Sequence, residues 1–512
     1  MFSEILDSVS ANEIAVSVIG IVTASCFASL VSRRKRHTPP GPSPLPLIGN
    51  WLDIASKDPW IKFADWSENY KSDILHLKVF TTDILIVNSA DAAKALFESK
   101  SALYADRPKM TMLNDLVGLS WLLGFMPQGN AWKTQRQIFA NHFNPASVSQ
   151  FRPHQLKWRG TFLKNLLKTP DQFMEHVQHL ASGLTLDLVF GLDVAPSGEA
   201  DPFIDAATVA LDGLSTAGLF GTFLVDYLPF LKYIPFGPYQ GYAKHWRTAV
   251  NIAITVPFDI VKSNMSAEKE TRSSVASSLA RDGVFGEEDI RKATSTMFAN
   301  GSAATVSALQ TFILAMSLYP EVQIIAQKEL DSVLRSAGRS LPEFDDEKSL
   351  PYVSAIVKEI LRWNPTVPLA FAHRLTTDDV YNGYHLPAGS VILPNTWAML
   401  HNVKTYGKDV STFRPERFLT KDGQLDPNVK SPDVAFGFGR RICPARHLAS
   451  SELFIYIASI LAVFSISDVG AGLSSRTEPQ YTSGLLRYPR PFGCTIIPRS
   501  PKHEAMINAL AP

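Results

Sequence analysis

Apolar residues recur every three to four positions through most of the chain after residue 50, which is the spacing of a helix with one buried face. The longest such stretch runs from about Glu287 to Tyr319. It is apolar nearly all round, so we predict that this helix crosses the protein core. Two segments, 75–87 and 378–393, instead contain short β-rich runs divided by turn sequences, and they predict small hairpins. The pattern therefore predicts a mainly α fold with small β-sheets, built as a single large domain over residues 51–512.

The amino-terminal segment follows a different pattern. Residues 14–32 form a run of 19 residues without a charge, close to the ~20 that a helix needs to cross a bilayer. Acidic residues precede the run and the basic cluster 33–36 follows it, an order that places the body in the cytosol and does not match a cleaved signal peptide. We predict a membrane anchor at 1–32 and a basic, proline-rich hinge at 33–50. A buried core helix and a shallow anchor are the alternatives for the uncharged run.

Composition narrows the possible partners and compartments. The 49 basic side chains balance 48 acidic ones, which argues against a nucleic-acid partner. The chain has three cysteines, Cys26, Cys443 and Cys494, so no disulfide framework is predicted. This cysteine usage is typical of a body that lies in a reducing compartment.

Candidate chemistry concentrates around one of these cysteines. The ten residues 436–445 read FGFGRRICPA, so Cys443 follows a glycine-bearing turn and has Arg441 two positions before it. Glycines allow a tight turn and a close backbone approach. A nearby cation and the start of a helix after residue 445 both favour the thiolate form of a cysteine. The stretch therefore predicts a soft sulfur ligand for a metal.

The same stretch resembles the haem-binding loop of the cytochrome P450 family, F-x-x-G-x-R-x-C-x-[GA]. The specified positions are all filled, by Phe436, Gly439, Arg441, Cys443 and Ala445. The resemblance implies that Phe436 belongs to the cofactor-binding loop, that Cys443 is the axial iron ligand of haem b, and that Arg441 contacts a haem propionate. It covers the whole body and implies the cytochrome P450 fold behind an N-terminal transmembrane helix. The order of anchor, basic cluster and prolines resembles microsomal members, which implies a single-pass protein of the endoplasmic reticulum membrane with a cytosolic catalytic domain.

Two further motifs resemble haem contacts of that family. Trp132 and Arg136 are four residues apart and share one face of a predicted helix. They resemble the family's W-x-x-x-R helix, whose two side chains meet a propionate. His373 matches a propionate contact that follows the helix at 352–363, although Ala372 stands where the family usually has proline. A surface Trp/Arg pair and a structural histidine are the alternatives.

A third motif has a structural meaning. Glu359 and Arg362 lie three residues apart in a largely apolar helix, so we predict a buried ion pair. With the segment 413–418, FRPERF, they resemble the family's E-x-x-R helix and P-E-R-F segment, which implies a charge network of Glu359, Arg362 and Arg417. An exposed pair that contributes little is the alternative.

The central helix departs from the family pattern, [AG]-G-x-[DE]-T-[TS], whose acid and first threonine manage proton delivery during oxygen activation. The aligned residues, 300–305, read NGSAAT, so the acid is Ala303 and the alcohol is Ala304. Thr305 fills the last position, about 100° further round the helix. Asn300 and Ala304 are predicted to share the haem-facing side, which makes Asn300, Ala304 and Thr305 the catalytic candidates. Two alternatives stay open: Asn300 bonds the helix backbone, or Ser302 or Thr305 replaces part of the relay through a local bulge.

The resemblance implies a membrane-anchored haem-thiolate monooxygenase that hydroxylates an apolar small molecule, a secondary metabolite or a xenobiotic, with O2. No dinucleotide-binding fingerprint is present, so electrons are expected from NADPH–cytochrome P450 reductase, with cytochrome b5 as a second donor. Lys133, Arg440 and Arg446 are candidates for the docking face, and ordinary solvated charges are the alternative. The altered central helix supports a second hypothesis, a haem-thiolate isomerase, dehydratase or peroxide-driven enzyme, and a third, a haem sensor without turnover. By resemblance the pocket walls come from residues 105–128, 214–239, 298–299, 367–372 and 483–486.

Overall fold

The computed structural model describes residues 37–234, 237–267, 272–469 and 480–510. Helices dominate these residues and the strands are few and short, which confirms the predicted mainly α fold with small sheets. The predicted membrane anchor at 1–32 and the basic cluster at 33–36 lie outside the described residues.

The helices follow the predicted periodicity. The α-helices span Trp51–Ile54, Pro59–Tyr70, Ala90–Ala93, Ser101–Tyr104, Asn130–Phe143, Arg152–Lys168, Phe173–Phe190, Pro202–Ala217, Leu224–Tyr227, Pro238–Ser266, Val275–Asp282, Glu287–Leu318, Pro320–Ser336, Pro351–Trp363, Thr396–Leu400, Val403–Tyr406, Arg446–Val463 and Pro501–Asn508. The π-helical segments are Lys94–Ser99 and Met112–Val117. The 3₁₀ turns are Val148–Phe151, Pro170–Gln172, Pro229–Tyr233, Phe344–Ser349, Pro415–Phe418, Asp433–Phe436 and Gly439–Arg441.

The strands form three small sheets. The strands are β1 (Ile74–Val79), β2 (Thr82–Val87), β3 (His373–Arg374), β4 (Asp379–Tyr381), β5 (Tyr384–Leu386), β6 (Val391–Pro394), β7 (Phe464–Asp468) and β8 (Cys494–Pro498). The largest sheet has the order β1-β2-β6-β3, with β2 parallel to β6 and the other neighbours antiparallel. Both predicted hairpins are present, β1–β2 and β4–β5, and the first turns at Phe80, whose φ is 50°.

Two long apolar helices pass through the core. They are the central helix, Glu287–Leu318, and the C-terminal core helix, Arg446–Val463. By length and composition both could cross a membrane, but 83% and 72% of their most apolar windows are buried inside the protein. The central helix packs against the C-terminal core helix and against the helices Asn130–Phe143 and Phe173–Phe190. It therefore crosses the core, as predicted from its apolar composition.

The described part of the predicted hinge packs against the body. The His76 N–H donates to the Pro40 carbonyl at 2.9 Å, and the Asn50 N–H donates to the Lys78 carbonyl at 2.7 Å. A Cβ at Gly49 would lie 1.9 Å from the Lys78 carbonyl oxygen, so only glycine fits there. These contacts hold residues 37–50 along β1.

Candidate functional site

The stretch 436–445, which we call the cysteine loop, is held by its own backbone. The Cys443 N–H donates to the Phe436 carbonyl at 2.7 Å and closes the loop. Gly439 has a φ of 48°, and a Cβ there would lie 2.0 Å from the Phe97 carbonyl oxygen. A larger residue at Gly439 would therefore push the loop off the π-helical segment Lys94–Ser99.

The cysteine thiol lies among donors that favour its anionic form. Burial raises the pKa of the Cys443 thiol, whereas the Ala445 N–H and the guanidinium groups of Arg136 and Arg446 lower it. A coordinating metal cation would deprotonate such a thiol outright. Burial therefore keeps the free thiol neutral, and the same donors would stabilise the thiolate once a metal cation binds.

Arg441 joins the cysteine loop to the predicted Trp132 and Arg136. Its Nε and Nη2 donate to the carbonyls of Ala105 and Met126 at 2.7 and 2.9 Å. Its guanidinium carbon lies 4.3 Å from the centre of the Trp132 ring, which is cation–π geometry. Trp132 and Arg136 occupy one face of the helix Asn130–Phe143, as predicted, and Arg136 is close enough to Cys443 to act on its pKa.

A second buried cation, Arg107, was missed by sequence reasoning. Its side chain is 6% exposed and donates from Nε to the Gly124 carbonyl at 2.7 Å and from Nη1 to the Ala372 carbonyl at 2.8 Å. The predicted His373 lies nearby, and its Nδ1–H donates to the Tyr104 carbonyl at 2.7 Å. Burial, followed by the charge of Arg107, holds the pKa of His373 well below its usual range, so the imidazole is neutral. Arg107 belongs to no motif with a recognisable spacing, whereas Arg136 and Arg441 each do.

The charge of this region tests whether haem b fits. In the part of the chain that the structure describes, Arg107, Arg136 and Arg441 form no salt bridge with a carboxylate. Asp106, the acid that acts on Arg107 and Arg441, lies 3.6 Å from Arg374 instead. Buried cations without a counter-charge are costly. A planar group with two carboxylates supplies the missing charge, so the donor set fits haem b and its propionates.

Aromatic packing supports the loop from one side. The ring of Phe438 stacks on Phe97 at 5.3 Å, and Phe97 contacts the His373 ring at 4.6 Å. The predicted Phe436 is half-buried and contributes its carbonyl to the loop. Phe438 and Phe97 therefore belong to the support of the loop, although the motif at 436–445 gave Phe438 no role.

The central helix presents an open face in its middle. Gly301 and Ala304 are exposed and Asn300 is half-exposed, whereas Ala303 is buried. The helix is continuous from Glu287 to Leu318, and no local bulge interrupts it. Among the residues that the structure describes, the Asn300 carboxamide has no hydrogen bond to the helix backbone. Asn300 and Ala304 are thus brought together on one face, as predicted.

The third catalytic candidate, Thr305, is turned away from that face. It is 4% exposed, and its Oγ1 lies 3.2 Å from the Gly301 carbonyl oxygen and 3.0 Å from Glu452 Oε2. Ser302 is also buried and its hydroxyl lies 3.5 Å from the Phe298 carbonyl oxygen. The structure therefore separates Thr305 from Asn300 and Ala304. It joins Thr305 to a buried acid that sequence reasoning missed.

A small apolar cavity of about 20 Å³ lies beside the central helix. Residues of three predicted wall segments, 105–128, 214–239 and 298–299, line this cavity, whereas the predicted segments 367–372 and 483–486 contribute none of its lining side chains. The helices Pro202–Ala217 and Pro238–Ser266 form the rest of the wall, which the prediction had largely omitted. The lining side chains are Leu119, Leu122, Ala207, Ala210, Leu211, Leu214, Val250, Ala253, Phe298, Ala299 and Ser302.

The predicted charge network is confirmed. Glu359 and Arg362 are both fully buried at 0% exposure, and they pair in a bidentate manner at 2.6 and 2.7 Å. Arg417 Nε approaches Glu359 Oε1 at 3.0 Å, and the Arg414 N–H donates to the same oxygen at 2.9 Å. Each oxygen of the carboxylate therefore has a donor.

Comparisons with known proteins agree with this geometry. The family model for cytochrome P450 matches residues 39–495. The chain is 40% identical to a tryptamine 4-monooxygenase of Psilocybe cyanescens, over 95% of this chain and 98% of that protein. It is 40% identical to cytochrome P450 monooxygenase 98 of Postia placenta, over 95% and 96% of the two chains. It is 37% identical to cytochrome P450 monooxygenase ple1 of Rhodocybe pseudopiperita, over 98% and 97%.

Proposed function

The chain belongs to the cytochrome P450 family and is one of its haem-thiolate monooxygenases, and from this premise we propose that it hydroxylates an uncharged apolar small molecule. The carrying observation is the apolar cavity beside the open face of the central helix. NADPH–cytochrome P450 reductase is the proposed electron donor, with cytochrome b5 as an auxiliary one. A secondary metabolite or a xenobiotic fits the proposed substrate class.

The proposed haem contacts follow from the charges around the cysteine loop. Cys443 is the proposed thiolate ligand of the iron, held by the Phe436 carbonyl at its own N–H and by the Ala445 N–H near its sulfur. Arg441, Arg136 and Arg107 would neutralise the propionates, and Trp132 and His373 would complete the contact set. When bound, the haem supplies the oxygen activation and the substrate oxidation, which a thiolate ligand favours.

The cavity also limits the substrate. A volume of about 20 Å³ holds roughly one water molecule, so the helices Pro202–Ala217 and Pro238–Ser266 must separate to admit a substrate. The lining side chains are apolar apart from the Ser302 hydroxyl, and none carries a charge. A protonated amine would lose its hydration there without a carboxylate partner. We therefore propose a substrate other than the tryptamine after which one relative is named.

Membrane association is part of the proposal. Two segments, 45–52 and 230–234, expose large apolar side chains. Residues near them in the sequence approach each other, since a Cβ at Gly221 would lie 2.8 Å from Ile54. Exposed apolar surface of this kind is typical of a membrane or protein contact. We propose that these segments rest on the endoplasmic reticulum membrane beside the anchor at 1–32. The exposed side chains include Leu45 (52%), Leu47 (58%), Leu52 (56%), Phe230 (61%), Tyr233 (77%) and Ile234 (46%).

The surface behind the cysteine loop supports docking of an acidic reductase. A cavity of about 150 Å³ opens there and is lined by Arg136, Arg446 and His447. Lys133 and Arg440 are exposed on the same two elements, the helix Asn130–Phe143 and the cysteine loop. Basic groups on this face would steer an acidic partner, and the steering would weaken as ionic strength rises.

The function is tested with the purified full-length chain. We expect the reduced protein with carbon monoxide to give the absorption band of a thiolate-ligated haem. With NADPH and the reductase, we expect NADPH consumption that rises on addition of an apolar substrate and yields a hydroxylated product. A band of the imidazole-ligated type would contradict the thiolate assignment, and NADPH consumption that no substrate changes would contradict the proposed reaction.

The open face of the central helix also supports a second candidate function. Asn300 places a carboxamide on that face, Ala304 lacks the alcohol of the family pattern, and the hydroxyl of Thr305 points toward Glu452. An isomerase, a dehydratase or a peroxide-driven enzyme needs no external electrons. Turnover with a hydroperoxide and no reductase, at a rate above that with reductase and O2, would favour this candidate.

Restoring a hydroxyl at residue 304 tests the open face directly. We expect Ala304→Thr to raise product and lower hydrogen peroxide per NADPH, because a fixed alcohol on the open face can organise proton delivery. The Ala304→Val variant has the same shape without the hydroxyl and is the matched control. The interpretation is wrong if the ratio of peroxide to product stays constant in Ala304→Thr, or if valine moves it equally.

A further inference from the structure

A buried acid joins three helices behind the open face of the central helix. Glu452 lies on the C-terminal core helix, is 7% exposed, and has its Oε2 3.0 Å from the hydroxyl of Thr305 on the central helix. Gln155, from the helix Arg152–Lys168, lies on its other side and is fully buried at 0% exposure. The acid is therefore part of the protein interior, two turns along the helix from the cysteine loop.

No cation balances this acid. Within the described ranges, Glu452 forms no salt bridge with a lysine, arginine or histidine. Burial raises the pKa of Glu452 to about 7, although Thr305 and Gln155 lower it. The facing titratable groups are Tyr456, which is neutral because burial and Glu452 raise its pKa, and Arg159, which acts on Tyr456 and donates to the Pro342 carbonyl at 2.6 Å. Near neutral pH the Glu452 carboxyl therefore carries a proton that it can give up.

The Thr305 hydroxyl connects this acid with the open face. Its oxygen lies within hydrogen-bond distance of both Glu452 Oε2 and the carbonyl oxygen of Gly301, and Gly301 is a residue of the open face. A hydroxyl donates one hydrogen bond, accepts others, and can rotate. When the acid is neutral it can donate to Thr305 while Thr305 donates toward Gly301. An acid and an alcohol are the two groups that are missing at Ala303 and Ala304.

We propose that Glu452 and Thr305 together are the proton source for the open face of the central helix, in place of the absent acid and alcohol. Glu452 passes its proton to Thr305 Oγ1, while Thr305 passes its own hydroxyl proton to a water molecule at the Gly301 face. Between turnovers the carboxylate regains a proton by the reverse transfer, from a water molecule at the Gly301 face through Thr305 Oγ1, because Gln155 on its other side is fully buried. No electrons move in this step. The proposal rests on the monooxygenase function proposed above.

Two isosteric substitutions test the pair in the purified holoenzyme. We expect Glu452→Gln and Thr305→Val each to lower product per NADPH by about 10- to 100-fold, at or below the range for a positioned general acid, with a matching rise in peroxide. In the wild-type chain, product per NADPH should fall as pH rises through about 7, because the acid loses its proton there. Glu452→Gln should lack this pH dependence, and Thr305→Ser, which keeps the hydroxyl, should restore wild-type behaviour.

A spectroscopic measurement does not depend on turnover. The infrared C=O stretch of a protonated buried carboxyl should be present in the wild-type protein below neutral pH and absent from Glu452→Gln. Absence of that band from the wild-type protein would overturn the proton source. So would an active wild type whose product per NADPH and pH dependence are unchanged in both Glu452→Gln and Thr305→Val. Failure of the wild type to consume NADPH with any apolar substrate would overturn the monooxygenase function instead. An equal loss in Thr305→Ser and Thr305→Val would show that packing matters rather than the hydroxyl, and would also overturn the pair.

Discussion

Replacing Cys443 by serine should leave a folded protein that has lost the thiolate-type absorption band and its monooxygenase activity. The loop is closed by the Cys443 N–H and the Phe436 carbonyl, and serine keeps both. The hydroxyl is nearly isosteric with the thiol, but it is a poor ligand for the iron because it is not deprotonated in the same surroundings. Loss of a group that only supports a metal ligand lowers metal affinity or activity by ~10–100-fold. We expect loss of the ligand itself to lower activity by more than this. Difference spectra with carbon monoxide and product assays measure the two effects.

Cys494 offers a matched control for this substitution. It is 9% exposed in β8, and burial raises the pKa of its thiol to about 12, with a further contribution from Asp468. Cys494→Ser should therefore keep the absorption band and the activity. A Cys443→Ser protein that retained the thiolate-type band, or an equal loss in both variants, would remove Cys443 from the iron.

The parts of the site that could be predicted are those whose residues lie close together in the sequence. The cysteine loop, the Trp132 and Arg136 pair, and the ion pair of Glu359 and Arg362 each lie within ten residues, where backbone geometry alone brings the side chains together. The same holds for the β1–β2 hairpin, whose strands are adjacent in sequence. Local spacing therefore predicted the elements, and the family resemblance carried by these short motifs predicted the residues around Cys443.

The parts that were missed depend on contacts between distant segments. Arg107 donates to the carbonyl of Ala372, 265 positions away, and Thr305 meets Glu452 across 147 positions. A single sequence contains no spacing that relates such pairs. One signal was available for Glu452, because it is the last charged residue before the apolar stretch 453–463 of a buried helix. An acid in that place needs either a partner or a proton.

The orientation of Thr305 shows why a motif does not fix a role. Its place in the aligned pattern puts it next to the missing alcohol, and the pattern assigns it no partner. The packing of the central helix against the C-terminal core helix turns its hydroxyl toward Glu452. With about 3.6 residues per turn, Thr305 lies about 100° round the helix from Ala304. Its hydroxyl therefore does not share the open face with Ala304, and it lies against Glu452 instead.

Removing Glu359 or Arg362 should have the largest effect on stability, and we expect Glu359→Ala and Arg362→Ala to yield protein without stably bound haem. Loss of the carboxylate leaves the guanidinium groups of Arg362 and Arg417 buried without a counter-charge. Breaking such a pair costs about 3–5 kcal/mol, a large share of the ~5–15 kcal/mol by which a protein is stable. Haem content and the midpoint of chemical unfolding measure the loss.

An exposed pair separates this effect from the mere loss of a charge. Lys262 and Glu287 lie 2.7 Å apart at 54% and 51% exposure, and surface pairs of this kind contribute little to stability. Glu287→Ala should therefore leave haem content and the unfolding midpoint unchanged. An intact haem absorption band in purified Glu359→Ala or Arg362→Ala would contradict the prediction. Such a result would mean that Arg417 and the carbonyl groups around Arg362 hold the neighbouring segment in place without the carboxylate. One such carbonyl is that of Val410, to which Arg362 donates at 2.8 Å.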